Sequence, residues 1–270
     1  MIAFASNSLL NRLALGQKAI DAVSYTTVRL ISGAIVLGLI SFFQQNVQGN
    51  KLRGNWISAA MLFVYAIAFS FAYLSLSAGT GALILFGSVQ VTMILAALRS
   101  GERPHFLEWL GVLLALGGLV YLVLPGLAAP SLLSSALMIS AGIAWGIYSL
   151  RGRGVESPLA NTAGNFLYAL PFIALVRLVT LNNMQLSPYG VLLAACSGAI
   201  ASGLGYVIWY AALRGLTATR AAIVQLSVPV LAGWGGVIFL AEQLSLRLVI
   251  AGVLILGGIA MAVSSHGKIK

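Results

Sequence analysis

Ser202, Tyr206, Trp209 and Tyr210 stand at i, i+4, i+7 and i+8, a spacing that on a helix gathers a hydroxyl, two phenols and an indole onto one face. A second such face runs through Tyr65, Phe69, Ala72 and Tyr73. Turned inward, these faces suit contact with flat or amphipathic organic solutes. Turned outward, they would be the interfacial belts of a membrane protein, an alternative open for Trp209, Tyr210 and Tyr73. Tyr65 and Tyr206 fit the inward reading better. Two amides join them. Pro229 has no N–H, so the carbonyl of Gln225 one turn earlier loses its helical donor beside the Gln225 side chain; a kink satisfied by a neighbouring helix explains the pair equally well. Gln90 lies opposite Ser88 and Thr92 on its helix, and it is the better candidate, because a hydroxyl can bond its own backbone and an amide less easily.

These residues sit in a chain that is 60% hydrophobic and only 7% charged, where a soluble domain carries about 25% charge. A hydrocarbon core of about 30 Å needs about 20 apolar residues per helix, so 270 residues hold about ten spans. Nine are clear: Tyr25 to Phe43, Trp56 to Leu76, Gly79 to Leu98, Leu107 to Leu124, Leu132 to Leu150, Thr162 to Leu181, Tyr189 to Leu213, Ala221 to Leu240 and Leu246 to Ser264. Met1 to Leu15 is a short tenth, without the basic start of a signal peptide.

With this stub as the first span, alternate connections carry very different charge. Residues 44–55, 99–106, 151–161, 214–220 and the tail hold ten Lys/Arg, and the other set only Lys18 and Arg247. The positive-inside rule makes the basic set, both termini and the tail 265–270 cytoplasmic. The net charge of +10 is therefore topology, and its scatter excludes a nucleic-acid face. Arg12, Arg29 and Arg177 fall near extracytoplasmic span ends, where snorkelling explains them before any attraction of anions does.

The chain also repeats itself. Ser88-Val89-Gln90-Val91 returns as Ser227-Val228-Pro229-Val230, Glu102 as Glu242, and Gly117-Gly118 as Gly257-Gly258. Tyr65, Phe69 and Tyr73 pair with Ser202, Tyr206 and Tyr210. The halves 1–124 and 132–264 each hold five spans, an odd number, so the second must enter the membrane from the opposite side. The expected fold is an all-α polytopic membrane protein of ten transmembrane helices in two inverted five-helix repeats, with a solute site near the midplane where the halves meet.

Ten short spans in two halves, Ala144-Trp145-Gly146 opening the second half, and Glu102 and Glu242 shortly before glycine-rich helices resemble the EamA family of the drug/metabolite transporter superfamily. The resemblance covers nearly the whole chain. It implies a transporter of small organic metabolites working in the export direction, and no particular substrate. It also places Trp145 and Tyr148 where they would close the cytoplasmic side. The first span should then be a full helix, so the native start is expected upstream of Met1. The candidate substrate-contacting set is Tyr65, Gln90, Trp145, Tyr148, Ser202, Tyr206 and Gln225.

Other polar features have a packing explanation. Asn7 with Asn11, and Asn161 with Asn165 and Tyr168, form polar edges suited to helix-to-helix hydrogen bonds, and Gly142 with Gly146 forms a GxxxG. Glu102 precedes Arg103-Pro104 as a helix-start element. Enzyme chemistry is not expected. His105 and His266 lie outside the spans, the single Cys196 allows no multi-cysteine metal site, and no P-loop is present. No cofactor or metal is implied. The expected partners are a small organic solute and membrane lipids, with a homodimer left open, in a bacterial inner membrane. All five acids fall in loops or at span ends, which points to facilitated diffusion or exchange over proton coupling. A membrane scaffold, a subunit of a larger complex, or a flippase of lipid-linked substrates are the alternatives.

Overall fold

Asn55, Ser131 and Ser187 each accept a backbone N–H at a helix start, and Pro158 and Pro188 open helices at the position where no N–H is needed. In the computed structural model, which describes residues 1–48, 53–99, 106–124, 129–180, 184–213, 225 and 227–265, the described residues form ten helical rods, four of them begun by these caps. They are α1 (Ile2–Gly16), α2 (Ala22–Gln48), α3 (Trp56–Ala72), α4 (Ala78–Arg99), α5 (Phe106–Val123), α6 (Leu132–Gly152) and α7 (Pro158–Val179). The eighth, α8, is continuous through Pro188–Cys196, a π-helical segment Ser197–Leu204, and Gly205–Leu213; α9 (Ser227–Leu240) and α10 (Leu246–Ser265) complete the set. Five of the ten are long and apolar enough to cross a membrane by themselves, and the remaining apolar ones are shorter.

The packing is an internal two-fold. α3 packs on α6 as α1 packs on α8; α4 on α6 as α9 on α1; α2 on α8 as α7 on α3. The pairs α2–α7, α4–α9 and α5–α10 map onto themselves. Exchanging α1–α5 for α6–α10 thus leaves the principal pairings unchanged. The halves are also inverted. Arg12 at the end of α1 donates to the carbonyls of Tyr73 and Leu74 after α3, and Ser75 in the same turn bonds Ser134 at the start of α6, at 2.6 Å. The end of α1 and the start of its counterpart α6 therefore share one face of the bundle. α5 and α10 pack mainly on each other and reach the remainder through α4, so the central eight helices contain the interior.

Close approach of the inner helices depends on small residues. A Cβ on Gly142 would lie 2.6 Å from the carbonyl oxygen of Leu85, and one on Gly146 3.0 Å from Thr92, so the GxxxG of α6 serves as the seat of α4. A Cβ on Gly198 would lie 2.1 Å from the carbonyl oxygen of Arg29. That contact lets α8 press directly on α2.

Candidate functional site

The interior is organised by a residue that span-end snorkelling does not describe. Arg29 is 1% exposed. α2 begins at Ala22, a turn earlier than the apolar pattern suggests, so Arg29 lies seven residues inside the helix, about 10 Å at 1.5 Å per residue. Its side chain stays in the bundle. Nε donates to Ser202 Oγ at 3.1 Å, and Nη2 to Tyr65 OH at 3.0 Å and Tyr206 OH at 3.4 Å. The guanidinium carbon stands 5.1 Å from the ring centre of Tyr65 and 5.2 Å from that of Phe69, within cation–π range. Two repeat-related pairs, Tyr65 with Ser202 and Phe69 with Tyr206, thus converge on one cation from opposite sides.

Asn7 of α1 ties the same groups together. Its Nδ2 donates to Tyr65 OH at 3.4 Å and Ser202 Oγ at 3.5 Å, and its Oδ1 accepts from Ser197 Oγ. Ser197 and Ser202 are five residues apart, which α geometry would separate by about 140° around the helix axis; the i→i+5 bonding of the π segment brings them toward one face.

Around this polar centre the rings form a continuous stack. Trp145 lies 4.9 Å from Tyr65 and 4.8 Å from Tyr206; Phe4 sits edge-on to Trp145, Tyr206 and Trp209; Trp145 leads on to Tyr148 and Tyr148 to Tyr210. Trp209, Tyr210 and Tyr73 are all buried, so they belong to the interior and not to interfacial belts. Phe4, Asn7, Tyr65, Phe69, Trp145 and Tyr206 enclose a cavity of about 10 Å³, room for about one water. At the far end, Glu242 Oε1 accepts from Arg12 Nε at 3.1 Å and Oε2 from the Ala78 N–H at 2.8 Å. These contacts tie α1, α4 and the turn after α9 together across that end.

Of the seven residues singled out in the sequence, Tyr65, Trp145, Ser202 and Tyr206 meet at this centre and Tyr148 adjoins it through Trp145. Gln90 and Gln225 are buried but do not line the cavity; Gln90 Nε2 and Gln225 Oε1 have no partner among the described residues. Ser88 and Thr92 bond the carbonyls one turn back on their own helix, each at 2.8 Å. Arg29, Phe4 and Phe69 were not in that set, and Asn7 was read as packing. The signal for Arg29 was its depth, concealed because the span start was placed at Tyr25. Asn165 accepts the Asn55 N–H at 2.9 Å and Tyr168 stacks on Trp56 at 4.8 Å, so both serve packing. Glu242 closes the start of α4 across the bundle, not the start of its own following helix. Glu102 and Pro104 lie outside the described residues. Among the described residues, no cluster of three or more His, Cys, Asp or Glu could hold a metal ion.

An all-helical bundle of two inverted five-helix repeats, with an aromatic and polar centre between them, defines a polytopic membrane transporter. The chain belongs to the EamA-like transporter family, whose model matches residues 1–124 and again 132–264. It is 54% identical over 97% of its length to an uncharacterised protein of Pseudomonas aeruginosa, covering 91% of that protein. It is 31% identical to the threonine/homoserine exporter RhtA of Escherichia coli, over 93% of this chain and 86% of that one. A solved crystal structure at 20% identity shares the fold with a TM-score of 0.68, covering 100% of this chain and 97% of that chain.

Proposed function

We propose that the protein exports small organic metabolites across a bacterial inner membrane by alternating access, with both termini cytoplasmic. The observation that carries this reading is the centre where repeat-related side chains of both halves meet, closed on one side by rings and on the other by the Arg12–Glu242 pair. Rocking one half against the other would open one closure at a time. The exporter named among the relatives supports the outward direction. The described acids Asp21, Glu156 and Glu242 are each held in contacts at helix ends, which supports facilitated diffusion or exchange over proton coupling.

Reconstituted vesicles test it. Metabolite profiling of cells with and without the gene identifies the solute, and counterflow of that solute should then be seen in vesicles without any gradient. Tyr206→Ala should abolish at least nine-tenths of the flux while accumulating normally in the membrane. Val253→Ala, on the lipid-facing side of α10, should change nothing. Accumulation above equilibrium that depends on an imposed pH gradient would replace exchange with proton coupling.

A further inference from the structure

We propose that the solute carries a carboxylate, and that Arg29 is the group that receives it. This rests on the transport reading above and adds to it the chemical class of the cargo.

The first observation is a charge without a counter-charge. Arg29 is fully enclosed, and none of the ion pairs among the described residues includes it. Its partners are three neutral hydroxyls. A buried cation is ordinarily paired, because neutral dipoles replace only part of its lost hydration. The pairing is missing here in a bundle that places Asp21 only eight residues away on the chain and holds it at Arg177 and the helix end instead.

The second observation is a surplus of donors. A guanidinium has five N–H groups. Nε and Nη2 use three of them, and Nη1, with two, has no partner among the described residues. The oxygen of Tyr65 accepts from both Arg29 and Asn7, as does that of Ser202. The donors of Nη1 are the part of the guanidinium left free for a solute.

A carboxylate supplies what is absent: two acceptor oxygens for Nη1 and a neighbouring hydroxyl, and one negative charge for one positive. Arg29 stands behind Tyr65 and Tyr206, which line the cavity, and the cavity walls, among them Phe4, Phe69 and Trp145, carry no charge. A doubly charged phosphate would therefore leave a net negative charge enclosed, which favours the monoanion. The cavity in this closed form is too small for a solute, so the carboxylate enters as one closure opens, and Arg29 is reached from whichever side that is.

The test uses the full chain in detergent, with no gradient, and measures thermal stabilisation by three matched pairs: propanoate and propanamide, 3-phenylpropanoate and its amide, indole-3-acetate and its amide. At least one acid should stabilise the wild type at a concentration tenfold or more below its amide. Arg29→Gln should erase that preference, and Arg29→Lys, which keeps the charge and loses the planar fork, should retain part of it. Equal response to acid and amide, no response to any of the three acids, or an undiminished preference in Arg29→Gln would overturn the proposal. If Arg29→Gln does not accumulate, Arg29→Lys and Tyr206→Phe decide: an acid preference unchanged in both overturns it. Binding with acid preference but no counterflow would reject transport alone, whereas counterflow without acid preference would reject this inference alone.

Discussion

At the scale of single residues, two kinds of position control the interior, and they fail differently when changed. Arg29, Asn7, Tyr65 and Ser202 form a network in which each member satisfies another, so loss of one leaves buried polar atoms without partners. Glycines act through shape. At Gly198 a side chain would run into the Arg29 carbonyl oxygen and Ser32 Oγ, both 2.1 Å from a Cβ, and neither α2 nor α8 can withdraw without opening the centre. Gly198→Ala should cost about 1–3 kcal/mol, the usual range for overpacking, read as a lowered unfolding temperature and reduced membrane accumulation. Gly117→Ala and Gly257→Ala, where a Cβ meets nothing within 4 Å, should be silent in the same assay. A strong defect there together with a silent Gly198→Ala would show that the helix contacts are misassigned.

At the scale of elements, helix ends carry the charges that the spans exclude. Glu242 reaches the start of α4 because the turn after α9 folds back: the Glu242 N–H bonds the Gly236 carbonyl at 3.0 Å and Ala241 adopts φ +51°. The carboxylate then lies at the positive end of α4 and beside Arg12. A double-mutant cycle with Arg12→Gln and Glu242→Gln should give a coupling of about 1 kcal/mol, the upper end for partly exposed pairs. A coupling of zero would remove the pair from the closure.

Asp21 has the corresponding role between α2 and α7. Burial acts to raise its carboxyl pKa, but hydrogen bonds from Ser24 and the Gln185 N–H, with Arg177 nearby, outweigh it and hold the group below its ordinary value. Because the folded value is the lower one, the unfolded chain binds the extra proton. The stabilisation is complete above the ordinary carboxyl value near 4 and is lost as pH falls through the folded value. The unfolding temperature should therefore fall below pH 4, and Asp21→Asn should flatten that fall while lowering stability at neutral pH. An unchanged acid limb in the variant would dissociate Asp21 from it.

At the scale of the whole molecule, exchange of the halves preserves the principal helix pairings, which makes orientation a single question. Reporters active only in the cytoplasm should work after Lys270 and within 152–157, and fail within 126–130. Activity in the last position instead would invert the proposed orientation and remove the support of the basic connections.

Much of this architecture was legible in the sequence, because the energetics that set it are local. The cost of placing charge in hydrocarbon is incurred residue by residue, so the spans, their number and the alternation of basic connections follow from composition along the chain. The duplication was legible as well, in Tyr65 with Ser202 and Phe69 with Tyr206, since it is a relation within the sequence itself. What the tertiary structure decided is which faces meet. Whether Arg29 turns to the bilayer surface or to the interior depends on the exact start of α2 and on how closely Gly198 lets α8 approach. The meeting of Ser197 and Ser202 at Asn7 depends on a π segment that α periodicity does not predict. Those outcomes are set by contacts between helices far apart in the chain, where sub-ångström packing selects a rotation, and no local pattern of residue types records that selection.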